Sequence, residues 1–91
     1  MSPIWVFRQN ERMSALNWRL ADYLETRQLT AYALGKAMGA SYMNTVYKMA
    51  KKGKEPSRVD LPTLLRILDG LRKLTGEDVQ LTDILEYVPD Q

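Results

Sequence analysis

Hydrophobic positions recur at helical spacing along most of this chain, and they divide it into segments before any composition is considered. Leu16, Leu20, Tyr23 and Leu24 fall on one side of a helix predicted over about 15–27, with Ser14 as its N-cap. Trp18 and Arg19 lie off that stripe, and Trp18 is expected to be partly covered by the N-terminal arm. After the short connection Gln28-Leu29, Thr30 caps a second helix over about 31–38, whose apolar face is Leu34, Ala37 and Met38. A third helix is predicted from near Ser41 to about Lys52, with Met43, Val46, Met49 and Ala50 on one side. Asp60 caps a fourth, with Pro62 in its first turn and Leu61, Leu64, Leu65, Leu68 and Leu71 as its stripe, widened by Ile67 and Leu74. Gly76 ends it. Thr82 then caps a short last helix over about 83–87, where Ile84, Leu85 and Val88 close the core and Pro89 stops the chain.

Residues 1–13 break this periodicity and form a separate arm or strand, leaving 14–91 as one domain. Ile4, Trp5, Val6 and Phe7 make a β-rich apolar run after Pro3. A single strand needs partners for its backbone. Asp78-Val79-Gln80-Leu81 or the same strand of a second copy could supply them; an arm folded over the core through Trp5 and Phe7 is the alternative. The expected fold class is therefore all-α, a five-helix domain with a possible short N-terminal β-strand.

The segment Thr30–Gly53 has the outline of a helix-turn-helix, in which the second helix lies in a DNA major groove. Gly35 sits mid-helix, where glycine costs about 0.5–1 kcal/mol relative to alanine. It makes sense there if another helix packs too close for a side chain. Gly39 can take a left-handed conformation and end the helix. The third helix then shows Asn44, Thr45, Lys48, Lys51 and Lys52 opposite its apolar side, with Tyr47 on the flank and no carboxylate. Asn can bond an adenine edge and Lys can reach guanine O6 or N7. The following turn, KKGKEPSR, brings Lys51, Lys52, Lys54 and Arg58 within reach of phosphates.

Charge adds weight to that reading without settling it. The net charge is only +2, yet residues 42–58 hold Lys48, Lys51, Lys52, Lys54 and Arg58 against Glu55 alone. Residues 75–91 carry Glu77, Asp78, Asp83, Glu86 and Asp90 and no basic residue. A compact basic stretch suggests a polyanion partner, and a solvated charged face would look the same from charge alone. Ninety-one residues with 45% apolar and 26% charged composition suit one small globular domain. The chain has no cysteine and no histidine, which removes disulfides, thiolate metal sites and the commonest general base. No P-loop or dinucleotide glycine pattern is present, and no cofactor or metal is expected. An enzyme would have to rely on a carboxylate pair such as Glu77-Asp78, which lacks pocket-forming surroundings. The apolar run near the N-terminus is too short for a signal peptide or membrane span, so a cytoplasmic protein without a membrane partner is expected.

LTAYALGKAMGAS, NTVYKMAKKGK, RVDLPTLLRILDGL and LTDILEYVPD, in that order, resemble the Cro and phage-repressor type of helix-turn-helix regulator, the XRE family, over about residues 16–90. The last two stretches carry the more specific likeness. The resemblance implies a DNA-binding regulator, commonly a homodimer on a palindromic site of double-stranded DNA, with some members acting as antitoxins that cover a toxin. Ile4, Trp5, Val6 and Phe7 are then candidates for the dimer contact. By position, the resemblance implies that Thr30 is a helix N-cap able to touch a phosphate. It also implies that Asn44, Thr45 and Lys48 contact DNA, and that Val46 and Met49 are buried. Ser41 and Tyr42 join the base-reading set, and Tyr47, Lys51, Lys52, Lys54 and Arg58 the phosphate-binding set. Gly35 stands where the family usually has alanine, and Tyr32 and Tyr42 are unusually bulky. Gly39 to Val46 spans one residue more than is usual, so the turn or the start of the recognition helix carries an insertion.

Overall fold

The structure, a computed structural model, describes residues 14–90. Four α-helices and one two-stranded sheet are found among the described residues: β1 (Ala15–Trp18), α1 (Leu20–Thr26), α2 (Ala31–Met38), α3 (Met43–Met49), α4 (Leu61–Thr75) and β2 (Leu85–Val88). Short 3₁₀ turns at Ala40–Tyr42 and Leu81–Asp83 lead into α3 and β2. Among the described residues the fold is mostly helical, but neither all-α nor five-helical.

The largest departures from the predicted helices are the two strands. Where a helix beginning at residue 15 is predicted, β1 runs antiparallel to β2, with Leu16 opposite Tyr87 and Trp18 opposite Leu85. Leu16 and Leu20 lie four apart and imitate a helical stripe, but Leu16 is 66% exposed while Leu20 is fully buried. Ser14 is no N-cap; α1 starts after Arg19 without any side-chain cap. At the other end, Leu85-Glu86-Tyr87-Val88 is extended rather than helical, as its β-branched and aromatic content permits. Thr82 caps nothing: the 3₁₀ turn starts after Gln80, whose backbone N–H donates to the Asp83 carboxylate at 2.8 Å. Asp78–Leu81 forms no strand, and the apolar run Ile4–Phe7 lies outside the described residues.

Thr30, Asp60 and Gly76 act as predicted at the ends of α2 and α4. The Thr30 hydroxyl accepts from Ala33 N–H at 3.0 Å, and the Asp60 carboxylate accepts from Thr63 N–H at 3.1 Å. Gly76, in the left-handed region, closes α4 by donating its N–H to the Arg72 carbonyl at 2.8 Å. The Arg72 guanidinium donates to the Val79 carbonyl at 2.8 Å and pairs with Asp78 at 2.7 Å, which folds the following loop back onto the helix.

The core gathers Leu20, Tyr23 and Leu24 of α1, Leu34 and Met38 of α2, Val46 and Met49 of α3, and Ile67 and Leu71 of α4, closed by Val79 and Ile84. Each fully buried leucine or isoleucine among them contributes roughly 1.5–3 kcal/mol of transfer free energy. α2 and α4 cross closely at Gly70, where an added Cβ would stand 3.0 Å from both Leu34 Cδ1 and Met38 Cγ. The predicted stripe of α4 is therefore buried only in its middle. Leu61 and Leu65, in the first turns, are 76% and 59% exposed.

Candidate nucleic-acid interface

Helix α3 is too short to be stable alone, and its position is imposed by what it packs against. At its start, Met43 lies over Gly35 of α2, where an alanine Cβ would run into the Met43 sulfur and come within 3.4 Å of its Cα. The glycine expected to mark a close helix approach does so. Gly39 has φ +124° and ψ 147°, a positive-φ extended conformation rather than the left-handed cap expected from sequence. That region is essentially restricted to glycine. The 3₁₀ turn Ala40–Tyr42 follows, with Tyr42 N–H donating to the Gly39 carbonyl at 2.9 Å.

The recognition helix predicted over 41–52 is thus observed over Met43–Met49. Ser41 and Tyr42 precede it in the 3₁₀ turn, while Lys51 and Lys52 lie beyond its end. Helices α2 and α3 with the intervening turn form the helix-turn-helix.

Val46 and Met49 are buried and Met43 half-buried, so one side of α3 belongs to the core. Asn44, Tyr47 and Lys48 are exposed and Thr45 is half-buried, giving amide, hydroxyl, phenol and ammonium groups without a carboxylate. Ser41 is exposed. Tyr42 is half-buried, and the Arg66 guanidinium of α4 lies 5.1 Å from its ring centroid, tying α4 to the turn before α3. Thr30 is exposed, with its hydroxyl already accepting the capping hydrogen bond.

The basic turn is exposed throughout Lys51–Glu55 and again at Arg58. Its one carboxylate, Glu55, is turned onto the backbone and accepts from Gly53 N–H at 3.0 Å. Lys52 reaches back to α1, where its ammonium pairs with Glu25 and lies 3.5 Å from Asp22. The hydrogen bond to Glu25, followed by that carboxylate's charge, raises the Lys52 pKa and holds the side chain protonated. To meet a phosphate it would exchange one exposed partner for another, a small energetic change.

Further contacts border this surface that the sequence reading does not assign to the site. Trp18 of β1 donates its indole N–H to the Met49 carbonyl at 2.7 Å, at the C-terminal end of α3. The requirement of a half-buried indole N–H for an acceptor was the signal available. Arg66 gave none beyond its charge. On α2, the Lys36 ammonium lies 5.6 Å from the Tyr32 ring centroid, and both residues are exposed.

Residues 19–90 match the family model of the Cro/C1-type HTH DNA-binding domain. The chain belongs to that family. No curated protein and no solved structure matches it significantly. As a Cro/C1-type domain, the chain is a DNA-binding helix-turn-helix protein of the XRE type. Among the described residues no three potential ligands converge on a metal site, and no helix is long and apolar enough to cross a membrane.

Proposed function

We propose that this Cro/C1-type domain is a sequence-specific transcriptional regulator that inserts α3 into the major groove of double-stranded DNA. Asn44, Thr45 and Lys48 read base edges, with Ser41 and Tyr42 at the entry to the helix. Thr30, Tyr47, Lys51, Lys52, Lys54 and Arg58 hold the flanking phosphates. The observation that carries this reading is the division of α3: Val46 and Met49 are built into the core, and the outward side bears hydrogen-bonding and cationic groups without a carboxylate. Donors and acceptors of that kind suit base edges, and the lysines that follow suit the backbone.

The functional unit is a homodimer on a palindromic site, since two-fold protein symmetry matches two half-sites. The exposed apolar residues Leu16, Leu61, Leu65 and Tyr87 support a protein partner of some kind. An antitoxin covering a toxin is the other reading they favour. Equilibrium sedimentation of the isolated chain separates the two: a dimer at micromolar concentration supports self-association, and a strict monomer favours a different partner.

Titration of labelled duplex DNA at salt concentrations between about 50 and 200 mM tests the DNA-binding core of the proposal. Affinity should fall steeply with salt. Absence of binding at the lowest salt would overturn it.

A further inference from the structure

The end of α3 that carries the lysines is held by a residue from a different layer of the fold. The C-terminal carbonyls of a helix lack intrahelical partners and must find others. At the end of α3, Val46 O receives Ala50 N–H at 2.9 Å, and Met49 O receives the indole N–H of Trp18 at 2.7 Å. Trp18 belongs to β1, which is paired with β2 and joined to α1 through Arg19, whose N–H donates to the Ile84 carbonyl at 2.7 Å. The opposite end of α3 is fixed by Met43 against Gly35. Beside the core packing of Val46 and Met49, one specific contact therefore marks each end of a helix that spans about 9 Å between them.

We propose that Trp18 is a positioning residue for DNA reading. Its indole N–H makes the β1–β2 sheet and the recognition helix one rigid body and sets the tilt of α3 in the groove. This inference rests on the function proposed above and adds to it a residue that touches no DNA. Base readout requires side chains held within about 0.5 Å and 10–20°. A drift of about 1 Å at the Met49 end tilts a helix of this length by only about 6°, but it moves Lys48, one residue from that end, by more than the positional tolerance, while Asn44, beside the Met43 pivot, moves little. Contacts to phosphates tolerate such a shift better, because lysine side chains are long and flexible. Loss of the hydrogen bond therefore weakens discrimination between sequences more than general affinity for DNA.

The test compares the full chain with Trp18→Phe, which keeps an aromatic ring and removes the donor. Trp18→benzothienylalanine, in which sulfur replaces the N–H in a ring of the same shape, is the second variant. Affinity is measured for a duplex selected by the wild-type chain and for a scrambled duplex of the same length. The expected result is a fall of about tenfold in the cognate-to-scrambled ratio for both variants, with binding to the scrambled duplex unchanged within about twofold. Partial unfolding would weaken both duplexes alike and leave the ratio intact. A wild-type ratio well above one that neither variant lowers would overturn the role of Trp18 and leave DNA reading standing. A wild-type ratio of one would overturn the proposed function itself, and this inference with it.

Discussion

Met43 occupies the space that a side chain at position 35 would need. Built on Gly35, a Cβ would collide with the Met43 sulfur and stand 3.1 Å from its methyl carbon. Alanine can be accommodated if the flexible thioether swings aside, and it gains helix propensity in compensation. Valine cannot use that route, because a branched side chain meets the Met43 backbone as well. Gly35→Val should destabilise the domain by about 2 kcal/mol or more, and adding Met43→Ala should restore at least about 1 kcal/mol of it. Urea denaturation of the two single variants and the double variant measures this coupling.

The Thr30 cap separates a structural role from a DNA-contacting one. Thr30→Ala removes the acceptor for Ala33 N–H and should cost about 1 kcal/mol, whereas Thr30→Ser should cost little. If the hydroxyl also meets a phosphate, Ala should weaken binding to every duplex beyond what its thermal shift explains. Thermal melts and binding titrations on the same samples decide between the two.

Base-reading and phosphate-holding residues should fail differently. Asn44→Ala should cost about 1–3 kcal/mol of discrimination at one position of the site, and Lys48→Ala should relax sequence preference. Lys51→Ala and Lys54→Ala should weaken all sequences alike, each lowering the slope of log affinity against log salt by about 0.9. Titrations of each variant at several salt concentrations give both quantities.

Two exposed carboxylates predict the acid limb of stability. Hydrogen bonds from Thr63 lower the Asp60 pKa, and the Asn17 amide, followed by Arg19, lowers that of Glu86. Each is more acidic folded than unfolded. Their stabilisation is therefore present above the unfolded values, about pH 4, and is lost as pH falls through the folded ones. Melting temperature should be nearly flat from pH 7 to about 5 and drop below about 4. The double variant Asp60→Asn, Glu86→Gln should lose less on acidification; amides keep hydrogen-bonding capacity without titrating. Circular dichroism melts across that range check it.

The elements legible in the sequence are those whose signals are local. Thr30, Asp60, Pro62 and Gly76 mark the ends of α2 and α4 within a few residues of the backbone groups they serve. The strands were illegible because their identity depends on pairing Leu16 with Tyr87, at opposite ends of the described chain, while Leu16 and Leu20 imitate a helical face. The composition of the outward side of α3 could be read directly, since i and i+4 positions share a face. Its end could not, and the Met49 carbonyl there accepts from Trp18, 31 residues earlier, a contact that no local pattern shows. Nor could the attachment of Lys52 to Glu25, which arises only once α1 and the basic turn are brought together.

Selection of bound sequences from a random duplex library tests most directly whether this Cro/C1-type domain reads DNA through α3. The wild-type chain should enrich a consensus with two-fold symmetry, its half-site centres separated by a whole number of helical turns. Asn44→Ala should lose preference at one position of each half-site. Enrichment of no sequence at all by a folded chain that still binds DNA would contradict the account.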